Sequence, residues 1–85
     1  MVYQVEIAPA AQRQIRKLTT DVQQKIIQRL EALAVDPYPA GVVKMRGEQS
    51  LYRVRLGDYR IIYEIQDEEL LILVLKVGHR RDVYK

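Results

Sequence analysis

Several residue types on which common active sites depend are missing or nearly missing from this chain. It has 85 residues, no cysteine, one histidine and one serine. The lack of cysteine excludes a disulfide framework and a thiolate metal site. His79 is the lone histidine, Ser50 is the lone serine, and the acids are scattered on turns, so the sequence offers neither a metal-ligand set nor a Ser–His–Asp constellation. We therefore expect no metal and no cofactor.

Long apolar runs and glycine-rich loops are missing as well. The longest apolar run, residues 70–75, is far too short to span a membrane. The first residues lack the basic-then-apolar pattern of a signal peptide, and Gly41 and Gly47 lack the spacing of a phosphate-binding loop. The length fits one domain over residues 1–85. We expect a single-domain cytoplasmic protein that makes no contact with a membrane.

Positive charge is concentrated in two segments of the chain. The net charge is +3, and residues 44–60 and 76–85 each carry +3, whereas residues 61–75 carry −4 and residues 1–43 carry +1. Such clustering is typical of proteins that bind nucleic acid. A solvated basic face would show the same distribution, so charge alone does not choose between the two.

Hydrophobic periodicity predicts an α+β fold. A first strand over residues 2–7 is followed by two helices joined near Thr19, with Pro9 in the first turn of the first helix. Residues 20–23 match a capping box for the second helix, which ends at Asp36–Pro37. After a long connection over residues 36–50, three strands are predicted at residues 51–56, 59–65 and 70–76.

The resulting order is β-α-α-β-β-β, a mainly antiparallel four-stranded sheet packed on a two-helix hairpin. Residues 70–75 are apolar without alternation, which predicts a central strand covered on both faces. If residues 66–69 form a four-residue turn, Ile65 pairs with Leu70 and Tyr59 pairs with Lys76.

Arginines lie inside the strongest strand pattern. Arg53 and Arg55 alternate with Tyr52, Val54 and Leu56 and therefore point to the opposite face. Gly57–Asp58 is a two-residue hairpin signal that places Arg55 directly opposite Arg60. Because like charges placed opposite each other destabilise a sheet, the three guanidinium groups indicate a polyanion such as a phosphate backbone.

The C-terminal segment is predicted to end beside these arginines. Gly78 permits a sharp change of direction, so Arg80 and Tyr84 could fold back toward Arg55 and Arg60. One cleft would then hold arginines, a histidine and a tyrosine.

Such a set of groups suits RNA cleavage, in which the 2′-hydroxyl of the substrate attacks the adjacent phosphate. Arginines bind phosphate and stabilise the developing negative charge. His79 is the only side chain whose unperturbed pKa lies near neutrality, and Tyr84 could transfer a proton or stack on a base.

Each residue also has a structural alternative. Arg53 and Arg55 could protect an exposed strand edge, and Arg60 could pair with Asp58 or Glu64. His79 could be an ordinary surface residue. Tyr84 could anchor the terminus, and Lys44 and Arg46 could be solvated or serve as auxiliary phosphate contacts.

The order and spacing of these motifs resemble the RelE/ParE superfamily of toxins from toxin–antitoxin systems, and the RelE branch fits best. The resemblance covers essentially the whole chain and is carried by residues 3–7, 44–47, 51–56, 59–63 and 77–84. It implies two helices packed against a curved antiparallel sheet. It also implies messenger-RNA cleavage in the ribosomal A site and inhibition by an antitoxin encoded beside the toxin.

The resemblance further implies roles for individual residues. Arg53 and Arg55 match two basic strand positions, usually lysine in the best-known member, where one is a proposed general base. Arg60 matches the arginine that stabilises phosphate charge. Arg80 matches the proposed general acid or leaving-group stabiliser, and Tyr84 matches the tyrosine that orients the RNA.

One departure from the family pattern concerns proton transfer. Arginine accepts a proton less readily than lysine, so His79, which stands where the best-known member has lysine, becomes the alternative proton-transfer residue. Lys44, Arg46 and Arg81 are expected to be auxiliary RNA contacts.

The expected partners are a RelB-like acidic antitoxin that folds on binding, the ribosome with its mRNA, and operator DNA only through the antitoxin complex. Two alternative functions share the fold. One is a gyrase poison of the ParE branch, and the other is a non-catalytic module that binds antitoxin or DNA.

Overall fold

Two helices and five strands make up the described part of the protein. The computed structural model describes residues 2–45, 47, 50–79 and 81. The elements in chain order are β1 (Gln4–Ile7), α1 (Pro9–Arg16), α2 (Thr20–Val35), β2 (Val43–Lys44), β3 (Leu51–Leu56), β4 (Tyr59–Gln66) and β5 (Leu71–His79), with a 3₁₀ turn at Asp67–Glu69 between the last two strands.

The five strands form one mixed sheet in the order β1-β5-β4-β3-β2. β1 lies parallel to β5, and the other neighbouring pairs are antiparallel. A parallel neighbour requires a crossover connection, and α1 and α2 lie in the segment that follows β1. The predicted α+β architecture is therefore confirmed. The predicted number of four strands is wrong, because the two-residue β2 lies within the connection expected over residues 36–50.

The helices begin and end where local hydrogen bonding dictates. Pro9 opens α1, where a missing N–H costs nothing. The Thr19 hydroxyl accepts a hydrogen bond from the Val22 amide at 3.4 Å, so Thr19 is the N-cap of α2, one residue before the predicted capping box. The Gln23 side chain donates to the carbonyl oxygens of Ile15 and Leu18, which fixes the junction between the helices.

Both helices cover the same face of the sheet. The buried core residues are Ala11 of α1, Ile26, Leu30 and Leu33 of α2, and Val54, Ile61, Tyr63, Ile65, Ile72, Val74 and Val77 of the sheet. Full burial of such a side chain contributes about 1.5–3 kcal/mol. The Tyr63 hydroxyl donates to the Pro37 carbonyl at 2.9 Å, and burial raises its pKa.

The register of β5 differs from the predicted register in two ways. The loop spans residues 67–70, so Gln66 pairs with Leu71 and Ile65 with Ile72. Leu70 adopts φ +50°, a left-handed conformation that lets this loop close. The strand then carries one extra residue, Leu75, between Val74 and Lys76. Such a β-bulge shifts every later pair.

These shifts correct two expectations about β5. Tyr59 pairs with His79 rather than with Lys76, and the strand extends to His79. The strand is central, but only its inner face is fully covered. Ile72 and Val74 are completely buried under the helices, whereas the leucines of the outer face, Leu71, Leu73 and Leu75, remain partly exposed.

A carboxylate joins three segments at one end of the sheet. The Tyr3 hydroxyl donates to Oδ1 of Asp67 at 2.6 Å, and the Tyr38 hydroxyl donates to Oδ2 at 2.8 Å. The contacts tie the start of β1 and the segment after α2 to the β4–β5 loop. The two hydrogen bonds lower the pKa of Asp67 below its ordinary value of 3.8. The bond to Asp67 raises the pKa of Tyr3, and burial followed by the same carboxylate raises that of Tyr38.

We predict that Asp67→Asn destabilises the protein at neutral pH and that the loss disappears in acid. Because the folded-state pKa of Asp67 is lowered, its contribution to the free energy of unfolding is fully present above about pH 3.8 and is lost as the pH falls through the folded-state pKa. Urea unfolding at a series of pH values measures the difference. Glu68→Gln, in the same exposed turn, is the control, and identical pH profiles for the two variants would contradict the role of the carboxylate.

Candidate nucleic-acid interface

Three arginines share the outer face of the β3–β4 hairpin, opposite the helices. Val54 and Ile61, which pair across the hairpin, are buried in the core. Because side chains alternate along a strand, their neighbours Arg53, Arg55 and Arg60 point to the other face. Arg55 pairs directly with Arg60, as the sequence predicted. We call Arg53, Arg55 and Arg60 the arginine patch.

The tight turn at Gly57–Asp58 fixes this opposition. Gly57 has φ +61°, and Asp58 has a negative φ, which is the pattern of a type II′ turn. In a two-residue hairpin the pair after Leu56–Tyr59 is not hydrogen-bonded. Its Cα atoms lie about 4.5 Å apart and its side chains approach closely. Arg55 and Arg60 form that pair.

β2 adds a wall to the arginine patch. Val43 pairs with Arg53, and a cavity of about 190 Å³ is lined by Gly41, Val43, Arg53, Arg55 and Arg60. Sequence reasoning missed the two wall residues, Gly41 and Val43, because they lie in a segment that was predicted to be a connection. The glycine and the two following valines were the available signal.

One nitrogen of the half-buried Arg60 side chain lacks an acceptor among the described residues. Its Nη1 atom is inaccessible to solvent and has no hydrogen-bond partner among the described residues. Glu64, one of the two acids considered for Arg60, instead accepts a hydrogen bond from Gln66 at 2.5 Å. Nε of Arg55 donates weakly to the Gly57 carbonyl at 3.4 Å. A buried donor without an acceptor costs about 1–3 kcal/mol.

His79 lies on the other face of the sheet. It shares that face with Val77, which is buried in the core, because the bulge at Leu75 precedes both residues. Its ring contacts Tyr59 edge-on, with the centroids 5.9 Å apart. His79 lines a cavity with residues of α1, and it is absent from the lining of the arginine cavity. The expectation of one cleft that holds His79 with the arginines is wrong.

The remaining predicted site residues are not gathered at the arginine patch. Lys44 pairs with Tyr52 and therefore faces away from it. Arg81 is exposed, and its backbone amide donates to Nδ1 of His79 at 3.3 Å. The predictions for Arg46, Arg80 and Tyr84 fall outside the described residues.

The described part of the chain contains neither a metal-ligand cluster nor a membrane-spanning helix. Its His, Asp and Glu side chains form no group of three that could hold a metal ion. None of its helices is both long enough and apolar enough to span a membrane.

Comparisons with known proteins match this chain to toxins of toxin–antitoxin systems. Residues 5–84 match a family model described as the ParE toxin of type II toxin–antitoxin system, parDE. A RelE-like toxin protein of Escherichia coli is 33% identical over 88 residues, covering 99% of this chain and 92% of that protein. The mRNA interferase toxin RelE of Escherichia coli K12 is 28% identical over 82 residues, covering 94% and 85%.

A solved structure shows the same fold. The archaeal RelE–RelB complex from Pyrococcus horikoshii OT3 contains a chain that superposes with a TM-score of 0.84 at 30% sequence identity. The superposition covers 96% of this chain and 99% of that chain.

We predict that Arg60→Met stabilises the isolated protein. The substitution removes the unpaired buried donor and relieves the repulsion from Arg55, so the free energy of unfolding should rise by roughly 1 kcal/mol. Denaturant unfolding measures it. Lys76→Met, which removes an exposed cation from the neighbouring strand, is the control and should change stability little. A less stable R60M variant would show that Arg60 contributes to folding and is not held for a ligand.

Proposed function

The chain belongs to the RelE/ParE superfamily of toxins of type II toxin–antitoxin systems, and we propose that it is a ribosome-dependent endoribonuclease that cleaves messenger RNA. One observation carries the proposal: Arg60 lies directly across the hairpin from Arg55, and its buried Nη1 atom has no hydrogen-bond partner in the described part of the chain. This arrangement costs stability in the free protein and suits a phosphodiester. The RelE relative named an mRNA interferase supports the same activity.

In the proposed reaction the RNA supplies the nucleophile, so the protein does not have to provide one. The 2′-oxygen of one nucleotide forms a bond to the adjacent phosphorus, and the bond from phosphorus to the 5′-oxygen of the next nucleotide breaks. The products are a 2′,3′-cyclic phosphate and a 5′-hydroxyl. The 2′-hydroxyl loses a proton, and the leaving 5′-oxygen gains one. No metal takes part in the proposed reaction.

The arginine patch would stabilise the charge that develops on the phosphate oxygens. Guanidinium groups bind phosphate bidentately, and fixed charges aimed at a transition state are a large source of rate enhancement. Arg53, Arg55 and Arg60 would bind the phosphodiester on the outer face of the sheet, and Val43 would line one side of the site.

The arginine patch does not supply a base for the 2′-hydroxyl proton, which would pass to solvent. The pKa of arginine lies above about 12, so Arg53 and Arg55 are poor bases at neutral pH. His79 faces the helices, which removes it from the proposed catalytic set. We propose, from the family resemblance, that Arg80 assists the leaving oxygen and that Tyr84 orients the RNA.

The proposed inhibitor is an acidic RelB-like antitoxin. The related toxin from Pyrococcus horikoshii is in complex with RelB. An acidic segment that folds on the arginine patch would satisfy the Arg60 donor and exclude RNA. Contact with operator DNA would occur only through that complex, and activity on ribosomes would take place in the cytoplasm.

A gyrase poison is the second candidate, because the matching family model is described as ParE. Such a toxin would act on a protein target and would have no need for two arginines placed opposite each other on the sheet. Supercoiling assays with purified gyrase separate the candidates: inhibition of gyrase without any cleavage of RNA would favour this one.

We predict that Arg60→Ala slows cleavage of a ribosome-bound transcript by about 10²–10³-fold, the usual loss for one group that stabilises the transition state. Primer extension on the transcript measures the rate. Lys25→Ala, on the exposed surface of α2, is the matched control and should cut like the parent. Cleavage by R60A at the rate of the parent would remove the arginine patch from the active site.

We also predict that a transcript with a single 2′-deoxynucleotide on the 5′ side of the cleaved bond is not cut at that position. The substitution removes the attacking oxygen and leaves the phosphate contacts in place. Primer extension on transcripts with and without the substitution gives the comparison. Equal cutting of the two transcripts would exclude attack by the 2′-hydroxyl and would indicate a water nucleophile.

A further inference from the structure

A second cavity lies on the face of the sheet that the helices cover. It has a volume of about 330 Å³ and is lined by Gln14, Lys17, Leu18, Tyr59, Val77, Gly78 and His79. We call it the helix-side cavity. Its volume is within the range typical of small-ligand sites. Leu18, Val77 and the Tyr59 ring supply apolar surface. The polar side chains are those of Gln14, Lys17 and His79. The proposed RNA cleavage does not use it.

Hydrogen bonds fix which polar atoms remain available in the helix-side cavity. Oε1 of Gln14 accepts from the Val77 amide at 2.7 Å, so the Gln14 amide nitrogen is left to donate. Nδ1 of His79 accepts from the Arg81 amide at 3.3 Å, so the neutral ring carries its proton on Nε2. Together with the Lys17 ammonium, the three polar side chains of the rim are all donors. A ligand that fits them presents acceptors.

Basic side chains extend from the cavity along α1. Arg13, Arg16 and Lys17 are all exposed, and residues 9–17 include no acid. Residues three and four apart lie on the same side of a helix, so these cations form a short column that ends at the cavity. Basic residues in the last turn also suit the helix dipole, but that effect does not require an open, donor-lined cavity beside them.

We propose that the helix-side cavity and the α1 column form a second RNA contact, which takes one unstacked nucleotide of a folded RNA. The base would lie against Tyr59 and accept hydrogen bonds from Gln14 and His79. Phosphates would contact Arg13, Arg16 and Lys17. Single-stranded or bulged bases are the parts of RNA that proteins recognise by stacking and edge contacts. This inference rests on the proposed function to the extent that RNA is the substrate.

The second contact lies on the opposite face of the sheet from the arginine patch. Tyr59 and His79 face the helices, whereas their neighbours Arg60 and Gly78 form the adjacent pair that faces outward. Both sites can therefore be occupied together. The arginine patch would hold the transcript, and the helix-side cavity would hold a nucleotide of ribosomal RNA.

Binding to a labelled RNA hairpin with one bulged adenosine tests the α1 column. We expect Lys17→Gln to lower the affinity several-fold and to reduce the slope of log affinity against log salt by about 1. Lys25→Gln, which removes the same charge from α2 outside the cavity, should leave both quantities unchanged. Thermal unfolding of each variant confirms that it folds. Equal affinities and slopes for K17Q and K25Q would overturn the proposal.

His79→Ala tests the cavity itself. The variant should lose about tenfold in affinity for the bulged hairpin, the size of a lost base contact, and should bind a fully paired hairpin like the parent. Titration with adenosine monophosphate, followed by NMR, should shift the amide signals of Leu18 and Gly78. Shifts caused by N-acetylglutamate N-methylamide, with none from the nucleotide, would overturn the RNA assignment and make the cavity a site for acidic peptides.

The two proposals fail separately. The proposed cleavage fails if R60A cuts like the parent, whatever K17Q does to hairpin binding. The second contact fails if either K17Q or H79A binds the bulged hairpin like the parent, even when R60A has lost its activity.

Discussion

The forced approach of Arg55 and Arg60 is the interaction on which the rest of the candidate site depends. The two-residue turn with Gly57 at φ +61° leaves β3 and β4 one register, and in that register the two guanidinium groups share a non-hydrogen-bonded pair. Two features disfavour the free protein: the opposition of like charges, and the buried Nη1 atom of Arg60, which has no hydrogen-bond partner among the residues that the structure describes.

The bulge at Leu75 determines which face of the sheet His79 occupies. Without the extra residue, His79 would face outward beside the arginines, because strand residues alternate between faces. With it, Val77 enters the core and His79 turns toward α1. The backbone amide of Val77, just after the bulge, donates a hydrogen bond to Oε1 of Gln14 at 2.7 Å. One inserted residue therefore separates the arginine patch from the helix-side cavity and shapes both.

Hydrogen bonds and aromatic contacts join several segments at the other end of the sheet. Asp67 accepts hydrogen bonds from Tyr3 and Tyr38, and the aromatic rings of Tyr38, Tyr52 and Tyr63 contact one another in sequence. These contacts join the first strand, the segment after α2 and the β4–β5 loop. The opposed arginines thus lie near the Gly57 turn, and the tyrosine and Asp67 contacts lie at the opposite end of the sheet.

The sequence by itself determined the local features. Alternation over residues 51–56 and the Gly57–Asp58 turn are short-range signals, so the hairpin, its register and the arginine pair could be predicted, and the motif order indicated the family.

Tertiary structure decided the rest. The uninterrupted apolar run of residues 70–75 carries no alternation that would specify faces, so the register of β5, its bulge and the side of His79 depended on long-range packing against the helices. The pairing of β2 with β3 and the parallel pairing of β1 with β5 likewise join residues distant in the chain, and such contacts leave no local pattern.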